Sequence, residues 1–339
     1  MLKTSYPPRT LASLIMVTTH SRNENGHTSH ITQSKSLYHE KACQLANAST
    51  LSLAPMMDYT DRHFRRLVRL ISTHTLLYTE MITANAIVQQ HQKYITAQSD
   101  PMTHPNRYLD KLIGQGRVEP LEGPCVLQLG GSNPDILGQA TAIVFEQSQQ
   151  QQHPLCDYTA INLNCGCPSP KVAGSGCFGA ALMSEPHLVK DCVLAMSQGC
   201  HSTLPITVKC RIGTDEHITP FDRNNIHTPE TKKRLYQKLC EFIDIVSSSG
   251  VVTDFQIHSR IAVLDKNFSP ADNRNIPPLQ YDLVYQLVHD FPHLSFSLNG
   301  GVDSLQHAQQ HLHSCQGLKG VMVRVELIYF GFKCTLLTC

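Results

Sequence analysis

Short apolar runs alternate with longer amphipathic stretches along most of this chain, from Leu51 onward. Short apolar runs bounded by turn residues are typical of buried strands, and longer amphipathic stretches are typical of helices. The runs predict eight strands, at 51–54, 76–79, 125–129, 160–163, 206–210, 255–257, 294–298 and 320–323. The stretches between them predict helices at 61–71, 134–147, 185–198, 229–248, 281–290 and 304–312.

Regular alternation of strands and helices predicts an α/β protein with a parallel sheet, most simply a closed (β/α)8 TIM barrel over residues 51–323. An open doubly wound sheet is the alternative. It is disfavoured because no glycine-rich dinucleotide fingerprint follows the first strand.

The first 50 residues differ from the rest in composition, being rich in Ser, Thr and His with only Glu24 and Glu40 as acids. Such a segment predicts a disordered extension over residues 1–50. Low acid content is also typical of an organellar transit peptide, and both interpretations stay open. The cytoplasm and an organelle are therefore equal candidates for the compartment.

Composition excludes several classes of protein. The formal net charge is only +1, so charge gives no support for a nucleic-acid substrate. The 13 cysteines lack the dense spacing of a secreted disulfide framework and indicate reduced thiols inside a cell. No apolar run approaches the roughly 20 residues that span a bilayer, so no membrane partner is expected.

In a TIM barrel the chemistry lies at the carboxyl ends of the strands. The first strand is followed by Pro55, Met56 and Met57, whose thioethers could pack on a flat ligand or simply fill the core. At the end of the third strand, the amide of Gln128 can both donate and accept hydrogen bonds at the barrel mouth.

The turn after the fourth strand is the most informative segment, because Asn164 and Cys167 lie within a turn shaped by glycine and proline. A thiol with an ordinary pKa of about 8.5 is neutral at pH 7 and can donate a proton. Two alternatives stay open. Cys165, Cys167 and Cys177 could bind a metal, although C-x-C spacing fits zinc poorly, or the cysteines could be inert.

Cationic side chains follow the fifth and sixth strands. Strand alternation gives Lys209 and Arg211 the same face, where two like charges are costly to bury without an anion. The anion is either a ligand or a set of barrel carboxylates. His258 ends the sixth strand beside Arg260, where a structural role and ligand contact are equally well supported.

The seventh strand ends in Asn299, Gly300 and Gly301, and a helix follows. Paired glycines at this point leave backbone N–H groups open at the usual phosphate site of the barrel.

Taken in order, these motifs resemble the tRNA-dihydrouridine synthases, and the A type in particular. The resemblance runs from about residue 51 to residue 323 and is carried by the ordered set rather than by one element. The motifs are Ala54-Pro55-Met56-Met57-Asp58, Tyr78-Thr79-Glu80-Met81, Gln128-Leu129-Gly130-Gly131, Asn164-x-Gly166-Cys167-Pro168-Ser169, Lys209-x-Arg211, Ile257-His258-x-Arg260, Ile276-Pro277-Pro278-Leu279 and Asn299-Gly300-Gly301.

The resemblance implies an FMN-dependent oxidoreductase, with NADPH as the reductant and Cys167 protonating C5 of a uracil whose C6 receives hydride. It implies tRNA as the substrate, reached at the D-loop, and a monomeric protein. It implies flavin contacts from Pro55, Met56, Met57, Gln128, Lys209 and His258, phosphate contacts from Asn299, Gly300 and Gly301, and tRNA contacts from Asn164, Arg211, Asn273 and Arg274.

The chain departs from the family pattern after Val323. The family expects Gly-Arg, an eighth helix and a helical tRNA-binding domain, whereas Arg324 follows here at once and residues 324–339 form an atypical apolar tail. We expect a C-terminally truncated enzyme. An inactive remnant, or another flavin barrel that acts on a free pyrimidine, remains the alternative.

Overall fold

The computed structural model describes residues 27–97, 107–115, 122–149, 155–168, 178–218, 228–265 and 267–324. Each of the eight predicted strands is present. The strands are β1 (Leu51–Leu53), β2 (Leu77–Thr83), β3 (Cys125–Gly130), β4 (Ala160–Cys165), β5 (Ile206–Arg211), β6 (Asp254–His258), β7 (Ser295–Asn299) and β8 (Gly320–Val323).

All eight strands are parallel and form one closed barrel. Their hydrogen-bonded order is β1-β8-β7-β6-β5-β4-β3-β2. The ring closes between β1 and the start of β2, where Leu53 N–H donates to Leu76 O (2.9 Å) and Leu76 N–H donates to Leu51 O (3.0 Å). The pairing of β1 with β8 on one side and with the start of β2 on the other confirms the predicted TIM barrel and excludes an open doubly wound sheet.

Helices surround the barrel, and all six predicted ones are present. The helices are α1 (His27–Ala48), α2 (Arg62–Ile71), α3 (Ala84–Ala97), α4 (Arg107–Ile113), α5 (Pro134–Ser148), α6 (Pro186–Gly199), α7 (Pro229–Ser247), α8 (Asp272–Asn275), α9 (Tyr281–Asp290) and α10 (Leu305–Ser314). Local capping fixes several starts, because the side chains of Asp61, Asn133, Thr228 and Ser304 each accept an N–H three residues later.

The apolar core has two parts, one on each face of the strands. Outward-facing residues such as Leu127, Ile161 and Val208 are buried against the helices. A second cluster lies inside the barrel at its amino-terminal end and contains Tyr78 and Val126. Because successive side chains of a strand face opposite sides, the barrel interior beyond this cluster is left for polar residues.

Helix α1 differs from the prediction of disorder over residues 1–50. Leu45 and Ala48 are buried in the cluster inside the barrel, and the Lys41 ammonium lies 2.5 Å from an Asp157 carboxylate oxygen. The helix therefore covers the amino-terminal end of the barrel. Its apolar positions are few, so the pattern is weak and only tertiary contact explains the helix. Residues 1–26 lie outside the described residues.

Strand β8 is complete and pairs with both of its neighbours, β1 and β7. The predicted atypical tail lies outside the described residues, except for Arg324. Across the described ranges, no helix combines the length and apolarity needed to cross a membrane.

We predict that Leu45→Ala lowers the free energy of unfolding by about 2–5 kcal/mol, because it leaves a cavity where α1 meets the barrel interior. Asn47→Ala, at an exposed position of the same helix, should change stability by no more than about 0.5 kcal/mol. Urea unfolding followed by circular dichroism measures both. Equal, small effects of the two substitutions would mean that α1 does not pack on the barrel.

Candidate active site

The turn after β1 presents two methionines at the carboxyl end of the barrel. Met56 N–H donates to Thr60 Oγ1 (3.0 Å), and the same hydroxyl donates to Met56 O (3.1 Å). Met56 packs against the core, whereas 56% of Met57 is exposed. Pro55 is partly buried beside them. The turn therefore offers an apolar, polarizable surface at the mouth.

Three buried amides form a network across β3 and β4. Gln128 Nε2 donates to Asn162 Oδ1 (2.8 Å), and Asn164 Nδ2 donates to Gln128 Oε1 (2.9 Å). Asn162 Nδ2 in turn donates to Thr207 Oγ1 and to Gln256 Oε1, both at 2.8 Å. The Gln128 amide is thus fixed in orientation, and each of its polar atoms keeps capacity for one more hydrogen bond.

Asn162 is a buried residue of this network that lies outside the predicted site residues. The signal was present in β4, where polar and apolar residues alternate as Ile161-Asn162-Leu163-Asn164. In a strand buried on both sides, such alternation indicates an inward-facing pair of amides that must satisfy each other.

Asn164 positions the turn that carries Cys167. Asn164 Oδ1 accepts the N–H groups of Gly166 and Cys167, both at 3.0 Å. Cys167 O accepts the N–H of Ala180 (2.9 Å), and the Cys167 side chain is only partly buried. Asn164 was predicted to contact the substrate, but both lone pairs of its oxygen are used within the turn. The oxygen therefore supports the turn that carries the thiol, and the second proton of Asn164 Nδ2 keeps the capacity for the predicted substrate contact.

Lys209, Arg211 and His258 concentrate positive or potentially positive groups at the mouth. Among the described residues, no carboxylate lies within 4 Å of these three side chains. Burial and the neighbouring Arg211 lower the pKa of Lys209 to about 8, while Cys210 and then Cys167 act on it in the opposite direction. The compensating anion was expected to be either a ligand or a set of barrel carboxylates. Among the described residues, no barrel carboxylate takes that place.

His258 is held in its neutral form. Burial, followed by the nearby charges of Arg211 and Lys209, lowers its pKa well below the usual value. Its Nδ1 atom is buried and has no hydrogen-bond partner among the residues that the structure describes. An unsatisfied buried nitrogen at the mouth is a place where a ligand can complete the hydrogen bonding.

Arg211 and Asn273, which were predicted as tRNA contacts, bond backbone groups of the protein itself. Arg211 is buried and donates to the carbonyls of Gly166 (3.0 Å), Ile261 (2.8 Å) and Asn273 (3.1 Å). Asn273 is 0% exposed and bonds the backbone of Val263 in both directions. Both side chains therefore hold loops together through hydrogen bonds to backbone groups. Arg274 is exposed.

Gly300 and Gly301, here called the glycine turn, follow β7 with φ angles of 109° and 69°. These left-handed angles favour glycine, and a Cβ at Gly300 would also come within 3.2 Å of the His258 ring. Asn299 Nδ2 donates to Met322 O (2.8 Å), which ties the turn to β8. The turn thus lies beside His258, at the same mouth as Lys209.

The alternative of a metal site gains no support from the geometry. Cys165 belongs to the outward-facing apolar core and its pKa is raised by burial, with Cys210 and Cys192 adding to the effect. Cys177 lies outside the described residues. Over the described part of the chain, no group of three His, Cys, Asp or Glu side chains is arranged to hold a metal ion.

Comparison with known proteins gives a consistent result. The family model described as Dihydrouridine synthase (Dus) matches residues 52–327. A tRNA-dihydrouridine(20/20a) synthase of Shewanella oneidensis is 42% identical over 277 residues, which cover 82% of this chain and 67% of that protein. A protein of the same name from Escherichia coli K12 is 41% identical over 275 residues, covering 81% and 64%. The chain spans about two thirds of the length of these relatives.

The family match begins within β1 and includes every other strand of the barrel, with Lys209 on β5 and His258 on β6, as well as the turn that carries Cys167 and the glycine turn. It leaves out only α1 and the residues before it, together with the last residues of the chain. This chain belongs to the dihydrouridine synthase family.

Proposed function

We propose that this chain is an FMN-dependent tRNA-dihydrouridine synthase, which reduces the C5=C6 bond of a uridine in tRNA with NADPH as the reductant. One observation carries the proposal: Asn164 holds the half-buried thiol of Cys167 beside Lys209 and Arg211 at the barrel mouth. The acid and the two cations therefore lie together at the barrel mouth. The relatives named as tRNA-dihydrouridine(20/20a) synthases support tRNA as the substrate class.

The residues at the mouth fit FMN. A reduced flavin and its phosphate are anionic, and either would compensate the charge on Lys209. His258 Nδ1 needs a hydrogen-bond partner, which the polar edge of the ring system or the ribityl chain would supply. Pro55, Met56 and Met57 would border the rings, and the glycine turn would take the phosphate through its backbone N–H groups.

Gln128 and Asn299 are the two remaining predicted cofactor contacts. Gln128 can still add one hydrogen bond from each polar atom of its amide, which suits the mixed donors and acceptors of a flavin edge. Asn299 spends one amide proton on Met322 O. We infer that Asn299 acts by holding the glycine turn against β8.

FMN held at the mouth and reduced by NADPH would be the source of the hydride for C6 of the uracil. The chain itself supplies the proton. Hydride addition would leave negative charge at C5, and the thiol of Cys167 would donate its proton there. The thiolate then regains a proton from solvent, so each turnover consumes one NADPH and one proton. Arg211 bonds Gly166 O and thereby fixes the backbone next to the acid.

The target uridine must leave its stack to reach the mouth. Unstacking costs a few kcal/mol and is least costly in a flexible loop, so the D-loop of tRNA is the expected region. We infer positions 20 and 20a from the names of the relatives. Arg274, exposed on α8, is the predicted phosphate contact that is available to RNA.

An inactive remnant is the second candidate, favoured by Arg324 standing directly after β8 where the family resemblance expects Gly-Arg. The described residues argue against a remnant whose barrel fails to close, because β8 pairs with β1 and the ring of strands is complete. Only a measurement of enzymatic activity therefore distinguishes the active enzyme from the inactive remnant.

We predict that the purified protein binds FMN with visible absorbance and oxidises NADPH faster when tRNA lacking dihydrouridine is added. Dihydrouridine formation in that tRNA, measured by mass spectrometry of nucleosides, is the readout. Turnover with free uracil or orotate and none with tRNA would support a flavin barrel for free pyrimidines instead. Folded protein without turnover on either substrate would support the inactive remnant.

We predict that Cys167→Ala lowers dihydrouridine formation by about 10²- to 10⁴-fold, the usual contribution of a positioned acid. Reduction of bound FMN by NADPH, followed by loss of flavin absorbance under anaerobic conditions, should proceed at the wild-type rate because the thiol takes no part in it. Cys43→Ala, an exposed cysteine on α1, serves as the control. Wild-type product formation by Cys167→Ala would reject the assigned role.

A further inference from the structure

A tyrosine on helix α9 supports the glycine turn from behind. Tyr281 Oη donates to Gly300 O at 2.8 Å. The same hydroxyl would lie 2.8 Å from a Cβ placed on Gly301. The tyrosine hydroxyl therefore bonds Gly300 and occupies the space beside Gly301, although Tyr281 belongs to none of the motifs that suggested cofactor contacts.

The hydrogen bond fixes the direction of a backbone donor. In a trans peptide the carbonyl of one residue and the N–H of the next point in opposite directions. With Gly300 O held toward Tyr281, the Gly301 N–H must point away from α9. In the part of the chain that the structure describes, this N–H has no hydrogen-bond partner. Glycine φ angles are soft, so without such a restraint the peptide could rotate.

Two histidines of α10 brace the tyrosine ring. The ring centroids of Tyr281 and His311 are 4.4 Å apart at 64°, and His311 stacks on His307 at 4.6 Å. His311 Nδ1 lies 2.6 Å from Tyr285 Oη, one turn further along α9. The start of α9 is also anchored to β6, because Gln280 N–H donates to Ser259 O (2.8 Å). The tyrosine is therefore held firmly on several sides.

We propose that Tyr281 is a positioning residue for the cofactor phosphate: its hydroxyl orients the Gly300–Gly301 peptide so that the Gly301 N–H is presented to an anion. The inference rests on the proposed function, in which the glycine turn takes the phosphate of FMN. The tyrosine itself does not contact the cofactor. It acts only by limiting the rotation of one peptide group.

The test compares FMN with riboflavin, which has the same ring system and no phosphate. Apoprotein is titrated with each flavin, and binding is followed by quenching of flavin fluorescence. Tyr281→Phe keeps the ring and removes the hydroxyl. It should weaken FMN binding roughly 3- to 10-fold, the effect of one lost hydrogen bond, and leave riboflavin affinity unchanged.

Tyr236→Phe is the matched control. Its hydroxyl donates to Asp290 (2.6 Å) at the far end of the same helix α9, so the substitution loosens α9 without touching the glycine turn. Both flavins should bind this variant as they bind the wild type. Equal loss of FMN preference in Tyr236→Phe and Tyr281→Phe would overturn the positioning role, and so would unchanged FMN affinity in Tyr281→Phe.

The two proposals fail in different ways. If wild-type apoprotein binds FMN no tighter than riboflavin, the phosphate assignment fails first. If the wild type prefers FMN and Tyr281→Phe keeps that preference, only the positioning role fails. Should Tyr281→Phe not fold, His311→Ala replaces it, because it removes the ring that braces Tyr281 and leaves the hydroxyl. A wild-type FMN preference in His311→Ala would then count against the proposal.

Discussion

Positive charge held away from water is the constraint on which the mouth of this barrel depends. Lys209 and Arg211 lie beside the neutral His258, and burial is the largest cause of the lowered pKa of all three. Among the described residues none of the three has a carboxylate within 4 Å. Burying charge without a counter-ion destabilises a fold, so we infer that a bound anion balances it.

The acid is placed by the same strands that place the charge. Asn164 accepts two N–H groups from the turn that carries Cys167, and Arg211 bonds the carbonyl of Gly166 within that turn. Any shift of β4 against β5 would therefore move the thiol relative to Lys209. Reaction geometry depends on rigid strands rather than on a flexible loop, which is how a site keeps its reacting groups in register.

The barrel could be predicted from the sequence because each strand is a short buried run and each helix between strands is amphipathic. Helix α1 could not, since its contact with the barrel rests on Leu45 and Ala48 in a polar segment. Strand alternation correctly grouped Lys209 with Arg211. It could not show that Arg211 bends to meet three backbone carbonyls, nor that Asn164 turns its oxygen into its own turn. Both orientations depend on hydrogen-bond partners in the folded structure, which the strand pattern does not indicate.

The central claim is that Lys209 binds an anion at the barrel mouth and lowers the stability of the protein when no anion is bound. Its most direct test is Lys209→Met, measured by urea unfolding of the apoprotein and by FMN titration. The account predicts an apoprotein at least as stable as the wild type and FMN binding weakened by about tenfold or more, as expected when one partner of a buried charge pair is removed. A less stable apoprotein that binds FMN with unchanged affinity would contradict it.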